Sequence, residues 1–292
     1  MRIAGISLII SLVITGCGRE AQTVSDSEET VTASDAEETV AAPDSKETVT
    51  APDSEETAVS DTENNKLENP TDTENTETAD ITVPEADELS ATLLYQGHGS
   101  VRIVTGDEKV IYIDPFMGDG YDLPADLILM THGHYDHTKE DLIASKNQGC
   151  TVIKWSDALE NGEYHNYDFG FVSVEAVEAG YNKNHDVSEC VGFILTFPDG
   201  IKAYFSGDTS TTPSMAGFAE RKLDYAFLCC DGVYNMDAAE ASECAKAIGA
   251  RHTIPYHMEP VKDKSGFDMS VAKSFDAPGK IILQPGEELV LE

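Results

Sequence analysis

Between Thr131 and His137 the chain reads Thr-His-Gly-His-Tyr-Asp-His, so His132, His134, Asp136 and His137 place three imidazoles and a carboxylate within six residues. Three of the eight histidines lie in this one stretch, a density that an ordinary polar loop does not need. Nitrogen and oxygen donors at such spacing suit a divalent cation, zinc first, with manganese and iron also compatible; cysteine is absent from the cluster. Just before it runs Ala125-Asp126-Leu127-Ile128-Leu129-Met130, which has the composition of a buried strand. The donors therefore fall on the loop at a strand's C-terminal end, where a rigid sheet can hold chemistry in place. Metal-assisted hydrolysis is the natural use, because a coordinated water ionises at a pH of about 7 rather than near about 15.7.

Four more segments carry donors at the ends of predicted strands. They are Gly97-His98-Gly99-Ser100, Ile113-Asp114-Pro115, Ser206-Gly207-Asp208-Thr209 and Ile254-Pro255-Tyr256-His257. Taken with the H-x-H-x-D-H pattern of residues 132–137, they resemble the metallo-β-lactamase superfamily, most of all the branch that includes ascorbate-6-phosphate lactonase. The resemblance covers residues 91–292. It implies an α/β fold, the four-layer αββα sandwich, with metals at one edge between two sheets. It implies two divalent ions, zinc by preference: His132 and His134 on the first, Asp136, His137 and His257 on the second, and Asp208 bridging both. A metal-bridging hydroxide would then attack an ester, lactone or phosphodiester bond of a small-molecule substrate, with Asp136, Asp208 and His257 nearest the chemistry.

The family pattern asks for one more histidine after the strand ending near Ala179. This chain offers Gly180-Tyr181-Asn182-Lys183-Asn184-His185 instead. Asn182 stands near the expected position, and His185, three residues on, either completes the first site or lines the substrate opening. Asp114 either supports a ligand histidine or caps the turn before Pro115. His98 is expected beside the site as an orienting group or a substrate contact. Tyr234 and Tyr256 are expected to point into the pocket and donate to a transition-state oxygen. His165 and His252 fall outside every motif. The alternative to an enzyme is a surface lipoprotein that captures metal or ligand and keeps the fold without turnover; the missing histidine supports it.

Many short strands must position these loops. Ala91 to Gln96, Val101 to Thr105, Val110 to Asp114 and Asp126 to Met130 read as strands, with a helix expected over Thr138 to Lys146 and a strand over Thr151 to Trp155. Phe171 to Ala179, Val191 to Phe197 and Ile201 to Ser206 alternate, the last two around the turn Pro198-Asp199-Gly200. Then come a strand at Tyr225 to Cys229, an Ala-rich helix at Met236 to Ile248 and a strand at His252 to Tyr256. A short helix at Phe267 to Phe275 and two strands within Lys280 to Leu291 finish the chain. Such alternation predicts layered α/β architecture.

The first 90 residues differ in kind. Arg2 precedes the uncharged run Ile3 to Ile14, too short for a transmembrane helix and of signal-peptide length. Ile14-Thr15-Gly16-Cys17 resembles a bacterial lipobox, implying removal of residues 1–16 and lipidation of Cys17. Residues 19–90 hold 22 acidic and 3 basic side chains, with blocks opening at Asp26, Asp35, Asp44 and Asp53. Without aromatics such a stretch cannot offset chain entropy, so residues 17–90 read as a disordered acidic tether to the outer face of the cell membrane. The net charge of −35 argues against a nucleic-acid partner, whose phosphates need Lys and Arg. Besides Cys17, the five other cysteines have no regular spacing and read mainly as small buried hydrophobes.

Overall fold

The computed structural model describes residues 90–258 and 265–292; the expected signal segment, Cys17 and the tether up to residue 89 lie outside them. Strands β1 (Ala91–Gly97), β2 (Ser100–Val104), β3 (Val110–Ile113), β4 (Ala125–Met130) and β5 (Lys146–Lys154) lie side by side in chain order. A small hairpin, β6 (Leu159–Glu160) and β7 (Glu163–Tyr164), leads to the second sheet. There β8 (Asn166–Asp168), β9 (Ser173–Glu178), β10 (Val191–Thr196), β11 (Lys202–Phe205), β12 (Tyr225–Cys230) and β13 (His252–Met258) also follow chain order. The last strand, β14 (Glu288–Leu291), returns to the first sheet and pairs with β1.

The two sheets repeat one plan. β1, β2 and β3 are antiparallel neighbours, while β3, β4 and β5 are parallel. β9, β10 and β11 are antiparallel, and β11, β12 and β13 are parallel. Hence β1, β3, β4 and β5 share one direction in the first sheet, as do β9, β11, β12 and β13 in the second. Each donor-bearing segment marked within residues 91–292 lies at or beyond the C-terminal end of one of these eight strands.

Alternation along the strands explains the layering. Ile111, Ile113, Leu127 and Leu129 turn toward the second sheet and share a core with Phe193, Leu195, Phe205 and Phe227. Val110, Tyr112, Ile128 and Met130 turn outward against Tyr121 and Ile143. Burying each large aliphatic side chain contributes about 1.5–3 kcal/mol, and a one-residue slip of β4 would exchange its two faces. The register of β4, and so the position of His132 beyond it, is thereby fixed. Outside the second sheet lie a 3-10 helix, Pro213–Arg221, and α2 (Ala238–Ile248), which follows the one-turn α1 (Trp155–Ala158) in the chain. In α2, Asp237 caps the first turn through the amides of Ala239 and Glu240, and Ala241, Cys244, Ala245 and Ile248 form the buried stripe. The short α3 (Met269–Ser274) packs beside α2 and β13.

Three expectations need correction. Thr138 to Lys146 holds only a 3-10 turn, Glu140–Leu142: Leu142 is exposed and Ile143 alone is buried, so no apolar stripe holds a helix there. β5 begins at Lys146, and Trp155 opens α1 instead of closing the strand. The C-terminal stretch supplies one strand, β14, because Lys280 makes only an isolated bridge to Thr253. The cysteines at 150, 190, 229, 230 and 244 are free, and all but Cys150 are buried. Among the described residues no helix is long and apolar enough to cross a membrane.

Gly207 joins β11 to Asp208 with φ +59°, and a Cβ there would lie 2.8 Å from both the Val191 carbonyl oxygen and Thr131 Cβ. Both obstacles belong to buried elements, so Gly207→Ala is expected to destabilise the protein by about 1–3 kcal/mol. Chemical denaturation measures this; an unmoved midpoint would show that the turn tolerates a side chain.

Candidate metal centre

Topology brings the donors together from both sheets. β1 delivers His98, β3 delivers Asp114 and β4 delivers residues 132–137; β9 leads to His185, β11 to Asp208, β12 to Asp231 and β13 to His257. One set of donor atoms comes from His132, His134 and His185, and another from His98, Asp136, His137 and His257; a third group links His132 and His137 through Asp208. Within each group the donor atoms lie within 4.8 Å of one another. The Asp208 carboxylate lies between the first two sets, 3.2 Å from His185 Nε2 and 3.8 Å from His132 Nε2 on one side. On the other side it is 3.1 Å from His257 Nε2 and 3.4 Å from His137 Nε2.

This donor set fits cations better than hydrogen bonds alone. His132 Nε2 and His134 Nδ1 are 3.0 Å apart, and His185 Nε2 is 3.2 Å from the same His134 nitrogen. Around zinc with Zn–N distances of about 2.0–2.1 Å, the edge of a tetrahedron measures about 3.3–3.4 Å. On the second side His137 Nε2 and His257 Nε2 are 3.2 Å apart with nearly parallel rings. Asp208 Oδ1, fully buried, faces both of those nitrogens without the alignment of a hydrogen bond.

The surrounding carboxylates and amides orient the rings. Asp114 Oδ2 is 2.9 Å from His137 Nδ1, and the same carboxylate accepts from the Thr131 amide at 2.8 Å and its hydroxyl at 2.7 Å. Of the two roles open to Asp114, supporting a histidine is the one the structure displays. Asp231 lies 3.5 Å from His257 Nδ1 and accepts from the amides of Val233, Tyr234 and Asn235. Asn182 Oδ1 stands 3.1 Å from His185 Nδ1 and accepts from the amides of Asn184 and His185. The residue at the expected histidine position therefore holds the histidine that reaches the cluster. His98 Nε2 is 3.2 Å from Asp136 Oδ2, and its ring centroid is 3.7 Å from that of His257. Gly99 leaves room for this packing: a Cβ would come within 3.0 Å of His137 Cε1.

One placement differs from the sequence reading. Tyr256 does not face the pocket; it is buried, and its hydroxyl accepts from the Gly207 amide at 3.0 Å. Adjacent residues of a strand face opposite ways, so seating His257 in the cluster sends Tyr256 into the core. Asp231 went unrecognised, although its place directly after the apolar β12 is the same signal that marked Asp208. Tyr234 does line the cavity, as does Tyr135, which the sequence reading did not single out. His252 stacks on Tyr225 and takes no part in the cluster.

Burial and mutual charge set the protonation states. Burial pushes the Asp208 carboxyl upward, but His257 and His137 more than reverse this and hold it well below its ordinary value. For His137, burial disfavours the charged ring, yet Asp208 and Asp114 together lift it to about 9. Burial, reinforced by neighbouring His257, pulls His98 down to about 4, and burial also holds His132 well below its ordinary value.

A cation must displace the proton that His137 holds at neutral pH in the cation-free protein. Apparent affinity for a divalent cation is thus expected to climb as pH rises toward about 9 and to flatten above it, with proton release on binding. Calorimetry in buffers of different ionisation enthalpy reads this directly; uptake of protons would contradict it. Replacing Asp114 with Asn removes the carboxylate that orients His137, and a loss of about 10–100-fold in cation affinity is expected. An unchanged binding isotherm for that variant would show that the contact is dispensable.

A family model described as a beta-lactamase superfamily domain matches residues 92–257. A metal-dependent hydrolase of Shouchella clausii is 31% identical over 231 residues, covering 68% of this chain and 95% of its own. One from Rubrobacter xylanophilus is 30% identical over 195 residues, covering 56% and 80%. Among solved structures, Igni18, a metallo hydrolase from Ignicoccus hospitalis, shares the fold at a TM-score of 0.55 and 20% identity, covering 70% of this chain and 99% of its own. With the paired sheets and the donors gathered at their common edge, these matches place the chain in the metallo-β-lactamase superfamily, among its metal-dependent hydrolases.

Proposed function

We propose that this protein is a two-cation hydrolase, zinc being the preferred ion, that cleaves an ester or lactone bond, with phosphodiesters as the wider class. The observation that carries the reading is Asp208, whose carboxylate lies between two complete donor sets. His132, His134 and His185 would hold one ion; Asp136, His137 and His257 would hold the other, with His98 beside them. Bound there, the ions would supply Lewis acidity and a water ionised near neutral pH. The alternative of a capture protein without turnover rested on an incomplete first site, and the nearness of His185 to His134 removes that support.

The chain's own residues account for the remaining tasks. Asp208 orients the attacking water. Asp114 and Asp231 hold His137 and His257 in fixed tautomers, and His98 keeps the Asp136 carboxylate in place. Tyr234, half-exposed on the cavity wall, donates to the oxygen on which charge develops. The resemblance to the ascorbate-6-phosphate lactonase branch favours a lactone or phosphodiester over a β-lactam. Ile14-Thr15-Gly16-Cys17 supports a lipid anchor on the outer face of a bacterial membrane, with the acidic tether spacing the domain from it.

Elemental analysis of the full chain, purified without added metal, tests the reading together with a panel of esters, lactones and phosphodiesters. Two equivalents of zinc are expected. His134→Ala and His185→Ala should each lose about one equivalent and lower kcat/KM by at least about 100-fold. Tight binding of two ions without turnover of any substrate class would favour the capture protein instead.

A further inference from the structure

The cavity over the donor cluster measures about 490 Å³, the size of a small-molecule site. Apart from donor residues, the described residues of its wall are Tyr135, Asn184 and Tyr234, two of them aromatic.

Apolar exposure points the same way. Of the seven large apolar or aromatic side chains exposed among the described residues, five lie on loops that carry the site: Tyr135, Tyr181, Val187, Val233 and Tyr234. Tyr135 and Tyr234 are 69% and 54% exposed, although both border a cavity that has a core of donors beneath it. Side chains of this kind gain little by standing in water, and two of them at one cavity mark a binding surface.

The loops are held, so the rim is formed before a ligand comes. Asp231 accepts from three successive amides, those of Val233, Tyr234 and Asn235, and from the Asn235 side chain at 2.7 Å. Asn184 Nδ2 donates to the Tyr234 carbonyl at 3.0 Å, tying that loop to the one bearing His185. The Tyr135 ring meets Phe116 edge-on at 5.6 Å, and Phe116 in turn meets His98 edge-on at 5.3 Å. Rigid tyrosines give a large contact area at low entropic cost.

We infer that the substrate carries an aromatic or extended apolar group, which seats against Tyr135 and Tyr234 while its ester or lactone carbonyl faces the donors. This rests on the hydrolase reading and narrows it to substrates with such a group.

Two measurements on the full zinc-loaded chain separate the two readings. The first compares kcat/KM for methyl phenylacetate and methyl acetate. The phenyl substrate is expected to exceed the other by about tenfold or more. The ratio should fall toward one in the Tyr135→Ala, Tyr234→Ala double variant and persist in Tyr234→Phe, which keeps the ring without the hydroxyl. The second follows binding of the non-hydrolysable ketone 4-phenyl-2-butanone against 2-butanone by ligand-observed NMR. Selective binding of the phenyl ketone, lost in the double variant, supports the aromatic subsite even if no ester is turned over, in which case the hydrolase reading alone falls. Hydrolysis with no phenyl preference, or equal binding of both ketones, overturns the subsite and leaves the hydrolase standing. Vesicle binding lost in the double variant, with ketone binding unaltered, would reassign the rim to a lipid surface and also overturn it.

Discussion

Asp208 brings one carboxylate within 3.1–3.8 Å of ring nitrogens from four histidines, which reach it from two loops and the end of β13. A fully buried carboxylate is tolerable only if positive charge surrounds it, and here His257 and His137 hold it ionised. Remove that charge and the imidazoles around it lose the partner that lets them crowd at hydrogen-bond distances. Gly207 and Tyr256 answer this requirement from below: the amide of the one donates to the hydroxyl of the other, and the turn that presents Asp208 is fastened to β13. The carboxylate and His257 are thus braced by the same strand.

Backbone strain gathers at the same place. His98, Asp114 and His257 all adopt positive φ, at 52°, 46° and 45°, although none is glycine. Conformations of this kind cost about 1–3 kcal/mol each and persist where the surroundings impose them. The His257 amide donates to the His98 carbonyl at 2.8 Å, and the Tyr95 hydroxyl donates to that carbonyl as well. β1 and β13, from different sheets, are therefore joined at the site itself. The strain turns each side chain off its strand and toward the cluster, which an extended strand end could not do.

Much of this was legible in the sequence, and the parts that were not share a cause. His132 to His137, Asp208 and His257 each follow an apolar run, so strand plus donor gave their placement by local pattern alone. Asp114 was legible as a candidate, but whether it capped its own turn or served His137 depended on a contact 23 positions away. His185 was ambiguous for the same reason: the decisive group is Asn182, which folds the loop by accepting two amides of its own neighbours. Tyr256 misled because it is next to a ligand in sequence and on the opposite face in space. The expected helix at Thr138 to Lys146 failed because helical spacing there had no apolar stripe to bury, while the strands β6, β7 and β8, two or three residues each, are too short for alternation to register.

The repeated plan of the two sheets explains why the site is a property of the whole domain. In each sheet four strands point their C-terminal ends at one edge, and each sheet alone offers an incomplete set: His132 and His134 lack His185, and His137 lacks His257. The halves are held face to face by a core in which Ile111 and Leu129 meet Phe193 and Phe205, so apolar packing far from the chemistry determines whether donors meet. Cation binding must then report on folding, because the donors come together only when the sheets do. The converse also holds. The core holds ring nitrogens of His132 and His134 3.0 Å apart and those of His137 and His257 3.2 Å apart, a crowding that a cation between each pair relieves.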